Sequence, residues 1–363
     1  MWLDILIILI KSLFFLTCVL TLTSLLTWME RKQSAVMQDR LGANRAPILG
    51  MRAFGLFHIL ADALKMFFKE DYVPPGGDKL LHTAAPMVAL FFALMSFAAI
   101  PFGNSLVIGG RAVELQVLPF SAGVLFVFAM MSMGIYGTFL AGFSSDNKYA
   151  FLGGLRASSQ MISYEITMGA TLVGLFMIFG TLDLAALNRA QGELLWGWLP
   201  KWGIFLQPLG FLLFLTAGFA ETKRVPFDLP EGESEIIGYF LEYSSMKFGA
   251  FFMTDFVETI LIAALLATLF FGGWQVPYLQ ADGFHFPWGS DWTLSALTVT
   301  LVQVVAFALK VVFFCWFLLL IRWTLPRFRY DQLMRLGWKI LLPLSILNIF
   351  VTGAVLIFLQ QGP

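Results

Sequence analysis

Long apolar runs dominate the chain, interrupted by polar segments that fall mostly on one side of a simple alternation. Reading runs of about 20 apolar residues as bilayer-spanning helices gives eight, at residues 4–28, 84–103, 119–143, 160–182, 203–221, 248–273, 295–321 and 338–359. The pattern therefore predicts an all-α integral membrane protein with about eight transmembrane helices. Its long loops are 29–83, 144–159, 222–247 and 322–337. An even number of spans puts both termini on the same side. Counting span ends, 18 of the 23 Lys and Arg residues lie in those four loops. Basic loops stay cytoplasmic, so the expected orientation has both termini outside. The first apolar run continues to about Thr27, too long for a signal-peptide core, so it reads as a span.

The first polar loop carries its own periodicity. In GLFHILADALKMFF, His58, Asp62, Lys65 and Lys69 fall at i, i+4, i+7 and i+11 among apolar residues. That spacing predicts a helix with a narrow polar stripe, ended by the PPGG of Pro74–Gly77. Lying in the membrane interface is one reading. Packing on a partner with the stripe turned to a cavity is the other, and the acid among the bases favours it.

Composition agrees with the pattern. The chain is 59% hydrophobic and 13% charged, with mean hydropathy +0.80, where soluble domains carry roughly a quarter charged residues. Net charge is zero, which gives no case for nucleic acid. Cys18 and Cys315 sit in separate apolar runs, and His58, His82 and His285 are scattered. Neither set suits a disulfide framework, an iron–sulfur cluster or a metal. No phosphate-cradling loop, nucleophile triad or dinucleotide fingerprint is present, so no catalytic residue, flavin, cluster or metal is assigned to this chain. Trp196, Trp198, Trp202, Trp274, Trp288 and Trp292 fall in the outward loops, where they read as interfacial anchors.

The densest chemistry lies between the fifth and sixth spans, in AETKRVPFDLPEGESEIIGYFLEYSSMKF. Glu221, Asp228, Glu231, Glu233, Glu235 and Glu242 all fall there. Asp228 and Glu231 resemble a capping box with Pro230 in the first turn. A helix starting there sets Glu231, Glu235 and Glu242 on one face, with Glu233 pointing elsewhere. Glu165 enters the first turns of the fourth span, and Asp255 and Glu258 lie early in the sixth. Charge near membrane depth is costly and by default functional; a solvated acidic connector is the bland alternative. Crowded, partly buried carboxylates titrate near neutral pH, so the spacing fits a proton relay. Arg322, Arg327, Arg329 and Arg335 crowd the last polar loop. They read either as positive-inside anchors, as a dock for an acidic soluble partner, or as guanidiniums turned into a polar cavity.

Four stretches carry a resemblance over nearly the whole chain: ERK…QDRLGANR with ADALKMFFKE, AGFSSDNKYAFLGGLRASSQMISYE, the acidic loop itself, and TLPRFRYDQLMRLGWK. Together they resemble the H-subunit family of proton-translocating NADH:quinone oxidoreductase, respiratory complex I. The resemblance implies eight transmembrane helices beside a peripheral arm, in a bacterial inner membrane. It implies quinone as the substrate at the interface, and the bilayer and the other membrane and peripheral subunits as partners. By motif position, Glu30, Arg31, Arg40, Arg45 and Asp62 match residues around a quinone entrance and chamber, and Arg322, Arg327 and Arg329 match its basic loop. Glu165, Glu221, Asp228, Glu231, Glu233, Glu235, Glu242 and Asp255 match a proton path, with Asp255 standing where the family usually has glutamate. Two rival readings are the anchor of a related membrane-bound hydrogenase and a stand-alone ion-coupled transporter. The second expects repeat symmetry around a midplane site, which the sequence lacks.

Overall fold

A computed structural model of the chain describes residues 2–361 apart from 109–110, 233–234, 237, 281 and 290. It is an all-α membrane protein. The helices are α1 (Trp2–Met37), α2 (Phe57–Phe68), α3 (Lys79–Met95), α4 (Gly123–Ser144), α5 (Lys148–Phe179), α6 (Leu184–Gln191), α7 (Gly203–Leu206), α8 (Pro208–Glu221), α9 (Ser245–Phe270), α10 (Ala296–Thr324), α11 (Tyr330–Arg335) and α12 (Leu342–Gln361). A π-helical stretch, Leu336–Leu341, joins α11 to α12. Among the described residues, seven helices are long and apolar enough to cross a membrane.

The fifth apolar segment, 203–221, is divided. Residues preceding proline avoid the α conformation, and Gln207, before Pro208, sits at φ −136° and ψ 61°, ending α7 and restarting the chain as α8. Its side chain is put to use: Nε2 donates to Thr352 Oγ1 at 2.6 Å, and Oε1 accepts from Asn348 Nδ2 at 2.8 Å. The fourth span also departs from its expected 160–182. The helix begins at Lys148, capped by the Asn147 side chain, so Glu165 lies mid-helix rather than in the first turns. Likewise the final helical rod begins at Tyr330, eight residues before the expected 338.

Two helices organise the packing. In α9, 83% of the apolar core is buried, against 6% in α1; α9 is buried all round from Phe256 to Phe270, as a central helix is. Its burial there takes in Glu258, Thr259 and Thr268 with the apolar side chains. The helix packs on α1, α3 and α10, while α5 packs on α4, α8 and α12. Small residues allow the close crossings: a Cβ at Gly137 would come within 2.6 Å of Ala89 Cβ between α3 and α4. Three small antiparallel sheets, which hydropathy did not foretell, fill the loops at the end holding the N-terminus. They are β1 (Ser105–Ile108) with β2 (Arg111–Glu114), β3 (Leu194–Leu195) with β4 (Leu199–Pro200), and β5 (Leu279–Gln280), β6 (Gly283–His285) and β7 (Asp291–Thr293).

At the other end, α2 lies against α9. Ser245 Oγ donates to Met66 O at 3.0 Å, and Lys247 pairs with Asp71 at 2.9 Å. The helix stops at Phe68, well before the expected PPGG terminator, because Lys69 turns extended with ψ 142°.

Candidate functional site: a buried ionic network

The segment after α8 does not form the expected helix over Glu231, Glu235 and Glu242. Between Thr222 and Ser244 the described residues make turns instead. Gly238 takes φ +128°, a conformation that favours glycine and that no helix contains. Asp228 does not cap; its Oδ2 accepts from Arg327 Nη2 at 2.8 Å. The loop is pinned to neighbouring helices. Gln160 of α5 donates to Ala220 O at 2.8 Å and Phe227 O at 2.9 Å, and Tyr243 stacks on His82 with ring centroids 3.9 Å apart. A Cβ on Gly153 would press within 3.0 Å of Tyr239 N, so α5 needs a glycine where the loop crosses it.

This folding turns the two basic residues after α8 inward. Lys223 is 1% exposed; its Nζ lies 3.3 Å from Asp255 Oδ1 and 3.4 Å from Glu258 Oε2, and over the Tyr239 ring at 5.7 Å. Arg224 lies 3.9 Å over the Phe256 ring and reaches Glu30 Oε2 at 3.1 Å. Glu30 takes Arg322 on its other oxygen at 2.6 Å. Thus α1, α9, α10 and the loop meet through charge.

Burial and pairing oppose each other in the loop. Burial alone would push the Lys223 ammonium down; Glu258, Tyr239, Asp255 and Glu231 outweigh it and hold the ammonium well above the ordinary lysine value. Burial pulls Arg224 below the usual arginine value despite Glu30. Burial pushes the Asp228 carboxyl up to about 6 against the pull of Arg327 and Arg322. Glu231 is pushed well above the carboxylate range by burial, then by Asp255 and Asp228. Deeper in the bundle, neither Glu221 oxygen has a hydrogen-bond partner among the described residues. Glu221 and Glu258 face a void of about 10 Å³, on the order of what one water needs. Glu165 accepts a short hydrogen bond from the Ser132 hydroxyl.

Beside the network lie two clefts that share Arg31. One, of 370 Å³, is lined by Glu30, Arg31, Ser34, Arg40, His58 and Trp323 among others. The second, of 390 Å³, is lined by Arg31, Asp62, Lys65, Lys69, Phe248 and Phe252 among others. Arg31 and Asp62 pair across the gap at 2.6 Å. The polar stripe of α2 thus turns to a cavity.

The structure gathers most of the residues singled out in the sequence and disperses the rest. Glu30, Arg31, Arg40 and Asp62 line the clefts, Arg322 pairs with Glu30, and Asp228, Glu231, Asp255 and Arg327 join the buried network. Arg45 is exposed and contributes its backbone N–H to His58 Nε2 at 3.1 Å. Arg329 is exposed and pairs only locally with Asp331 at 3.1 Å. Glu235 pairs with Arg156 at 2.9 Å, and Glu242 accepts from Asn147 at 2.9 Å, so both sit at the start of α5, away from Lys223. Glu233 lies outside the described residues. Sequence reasoning missed Lys223, Arg224 and Tyr239. Its only signal, a Lys-Arg pair just past a span, reads as ordinary positive-inside charge.

Comparison with known proteins leads to the same family. The NADH dehydrogenase family model matches residues 10–353. An H subunit of NADH-quinone oxidoreductase from Geobacter metallireducens is 44% identical over 355 residues, 98% of each chain. Its counterpart from Cytophaga hutchinsonii is 42% identical over 351 residues, 96% of each chain. The counterpart from Thermomicrobium roseum is 43% identical over 344 residues, 94% of this chain and 93% of its own. With the fold, the sequence stretches and these full-length matches in agreement, the chain belongs to the NADH dehydrogenase family as an H subunit of NADH-quinone oxidoreductase, a membrane component of respiratory complex I.

Proposed function

We propose that this subunit walls a quinone chamber together with the soluble subunits and passes the charge change of quinone reduction into the membrane through its carboxylates. In this reading the clefts at Arg31 form part of the chamber, with Glu30, Arg40, Asp62 and Arg322 around it. Their greasy walls, Phe248, Phe252 and Trp323, suit a lipid-soluble ligand, and few polar groups suffice to orient one. Asp228, Glu231, Asp255, Glu221 and Glu165 form the relay, with Arg327 on Asp228. Both termini face outside across a bacterial inner membrane, as the basic-loop asymmetry favours.

One observation carries the reading. Ionic groups follow one another from the cleft inward: Asp62 on Arg31, Glu30 on Arg224 and Arg322, Lys223 on Asp255 and Glu258, then Glu221. Each electron that reaches the quinone adds a negative charge beside Arg31 and Glu30, which proton uptake then cancels. Crowded acids titrate as a group, so a change at one end redistributes protons along the set. The chain's own groups therefore act by holding and moving charge.

Glu231→Gln tests this, since it keeps shape and removes titration. The assembled complex should retain electron transfer from NADH to a hydrophilic artificial acceptor while quinone turnover and proton uptake into vesicles fall together. Wild-type turnover with wild-type proton uptake would overturn the reading.

A further inference from the structure

Resting on the relay reading above, we infer that Lys223 is a positioning residue, a fixed counter-charge shared by Asp255 and Glu258 that sets how readily this pair exchanges protons with Glu231, Glu221 and Glu165. The first support is geometric. A single buried ammonium sits within 3.4 Å of carboxylates one helical turn apart on α9. Those two share one face because they are spaced i, i+3. With the ammonium absent, two neighbouring carboxylates in a buried setting cannot both stay ionised.

The second support is the surroundings. From the loop, Glu231 and Tyr239 face the ammonium; from α8, Glu221 does; Arg224 stands beside it and Asp228 faces Asp255. The other acids of the network on this side have their own cations: Glu30 has Arg224 and Arg322, and Asp228 has Arg327. Glu231 and Glu221 have no ion pair among those described, whereas Asp255 and Glu258 share the one ammonium of Lys223 between them. A buried acid with no cation gives up its proton least readily, and two neighbouring acids that share one cation both depend on it for their charge. Lys223 is therefore the ion-pair partner on which the charge of the Asp255–Glu258 pair depends.

The experiment uses the whole complex in vesicles, with quinone turnover followed against pH. Lys223→Met should lower turnover about tenfold at neutral pH. It should also move the acid limb of the pH profile up by about one unit, because unpaired Asp255 and Glu258 take up protons sooner on acidification. Raising the pH should then recover part of the lost rate. Lys223→Arg should restore the wild-type profile, and Lys223→Met with Glu258→Gln should recover most of the rate by restoring the charge balance.

A uniform loss at every pH, with no recovery in the double variant, would make the lysine a brace for the fold and overturn the inference. An unchanged profile in Lys223→Met would overturn it too. If Lys223→Met does not assemble, assembly and turnover of the charge-balanced double variant support the inference; failure of both while Lys223→Arg assembles overturns it. Failure of the relay reading itself shows separately, in Glu231→Gln behaving as wild type. A slow Glu231→Gln beside a normal Lys223→Met would sink this inference alone.

Discussion

Lys223 and Lys310 are both lysines folded into an apolar bundle against α9, and they are neutralised by opposite means. Lys310 reaches from α10 past the C-terminal end of α9, where its ammonium donates to Phe271 O at 2.7 Å, Gly273 O at 2.9 Å and Gln275 O at 2.7 Å. Trp202 covers it at 4.8 Å. A cation at a helix C-terminus satisfies carbonyls that the helix leaves free. Lys11 does similar work beside the first hairpin, donating to Glu114 O and Gln116 O at 3.2 and 2.7 Å. Backbone carbonyls do not titrate, so this end of the molecule is braced by fixed dipoles. Lys223 instead meets carboxylates, which do titrate. The two ends of α9 thus separate structural charge from exchangeable charge.

Four substitutions would break or sharpen that contrast. Arg224→Ala removes one of the two cations on Glu30 and exposes a buried acid to partial isolation. Loss of one member of a buried ion pair costs about 3–5 kcal/mol, so thermal unfolding of the purified complex should fall most in this variant.

Asp228→Asn tests whether pH dependence belongs to the ionic end. The folded carboxyl sits at about 6, above the roughly 4 of an unfolded chain. The fold therefore favours the protonated form. That contribution is complete below about pH 4 and is lost as pH rises through about 6, a change of about 3 kcal/mol. Unfolding of Asp228→Asn should show a flatter dependence than wild type across that window. Equal slopes would refute the assignment.

Lys310→Met should cost about 2 kcal/mol, the scale of leaving buried acceptors unsatisfied, while turnover per assembled complex stays at the wild-type level. A turnover defect here would erase the distinction between the two lysines. Smallest of all, Arg329→Ala removes an exposed pair with Asp331, and exposed pairs contribute about 0–1 kcal/mol. Its melting curve should overlay wild type.

The helix-forming regions were legible because burial in lipid is decided residue by residue. Twenty apolar positions in a row announce a helix whatever they touch, and α2 announced itself through the spacing of His58, Asp62 and Lys65. Misreadings came where a local signal met a tertiary demand. The Asp228–Glu231 spacing suits a cap, yet Arg327, 99 positions away in sequence, takes the Asp228 carboxylate. Glu235 and Glu242 belong to the same acidic stretch as Glu231 and end on Arg156 and Asn147, outside the buried network. Glu165 lies deeper in its helix than expected because polar and small residues such as Lys148, Gly153, Gly154, Arg156 and Ser158 carry α5 back to Lys148, and their apolar neighbours are too few to mark a span.

From the sequence alone came the membrane class, the family stretches, the basic-loop asymmetry and the presence of too many acids for a simple connector. These follow from composition and short-range spacing, which each residue carries with it. The tertiary structure alone decided which acids have a cation. Lys223 is an ordinary loop lysine until α9 presents Asp255 and Glu258 at 3.3 and 3.4 Å. Arg224 is likewise unremarked until α1 brings Glu30 from 194 positions away. The physical reason is that the energy of a buried charge depends on distance to its partners in space, a quantity that hydropathy and spacing along the chain do not contain.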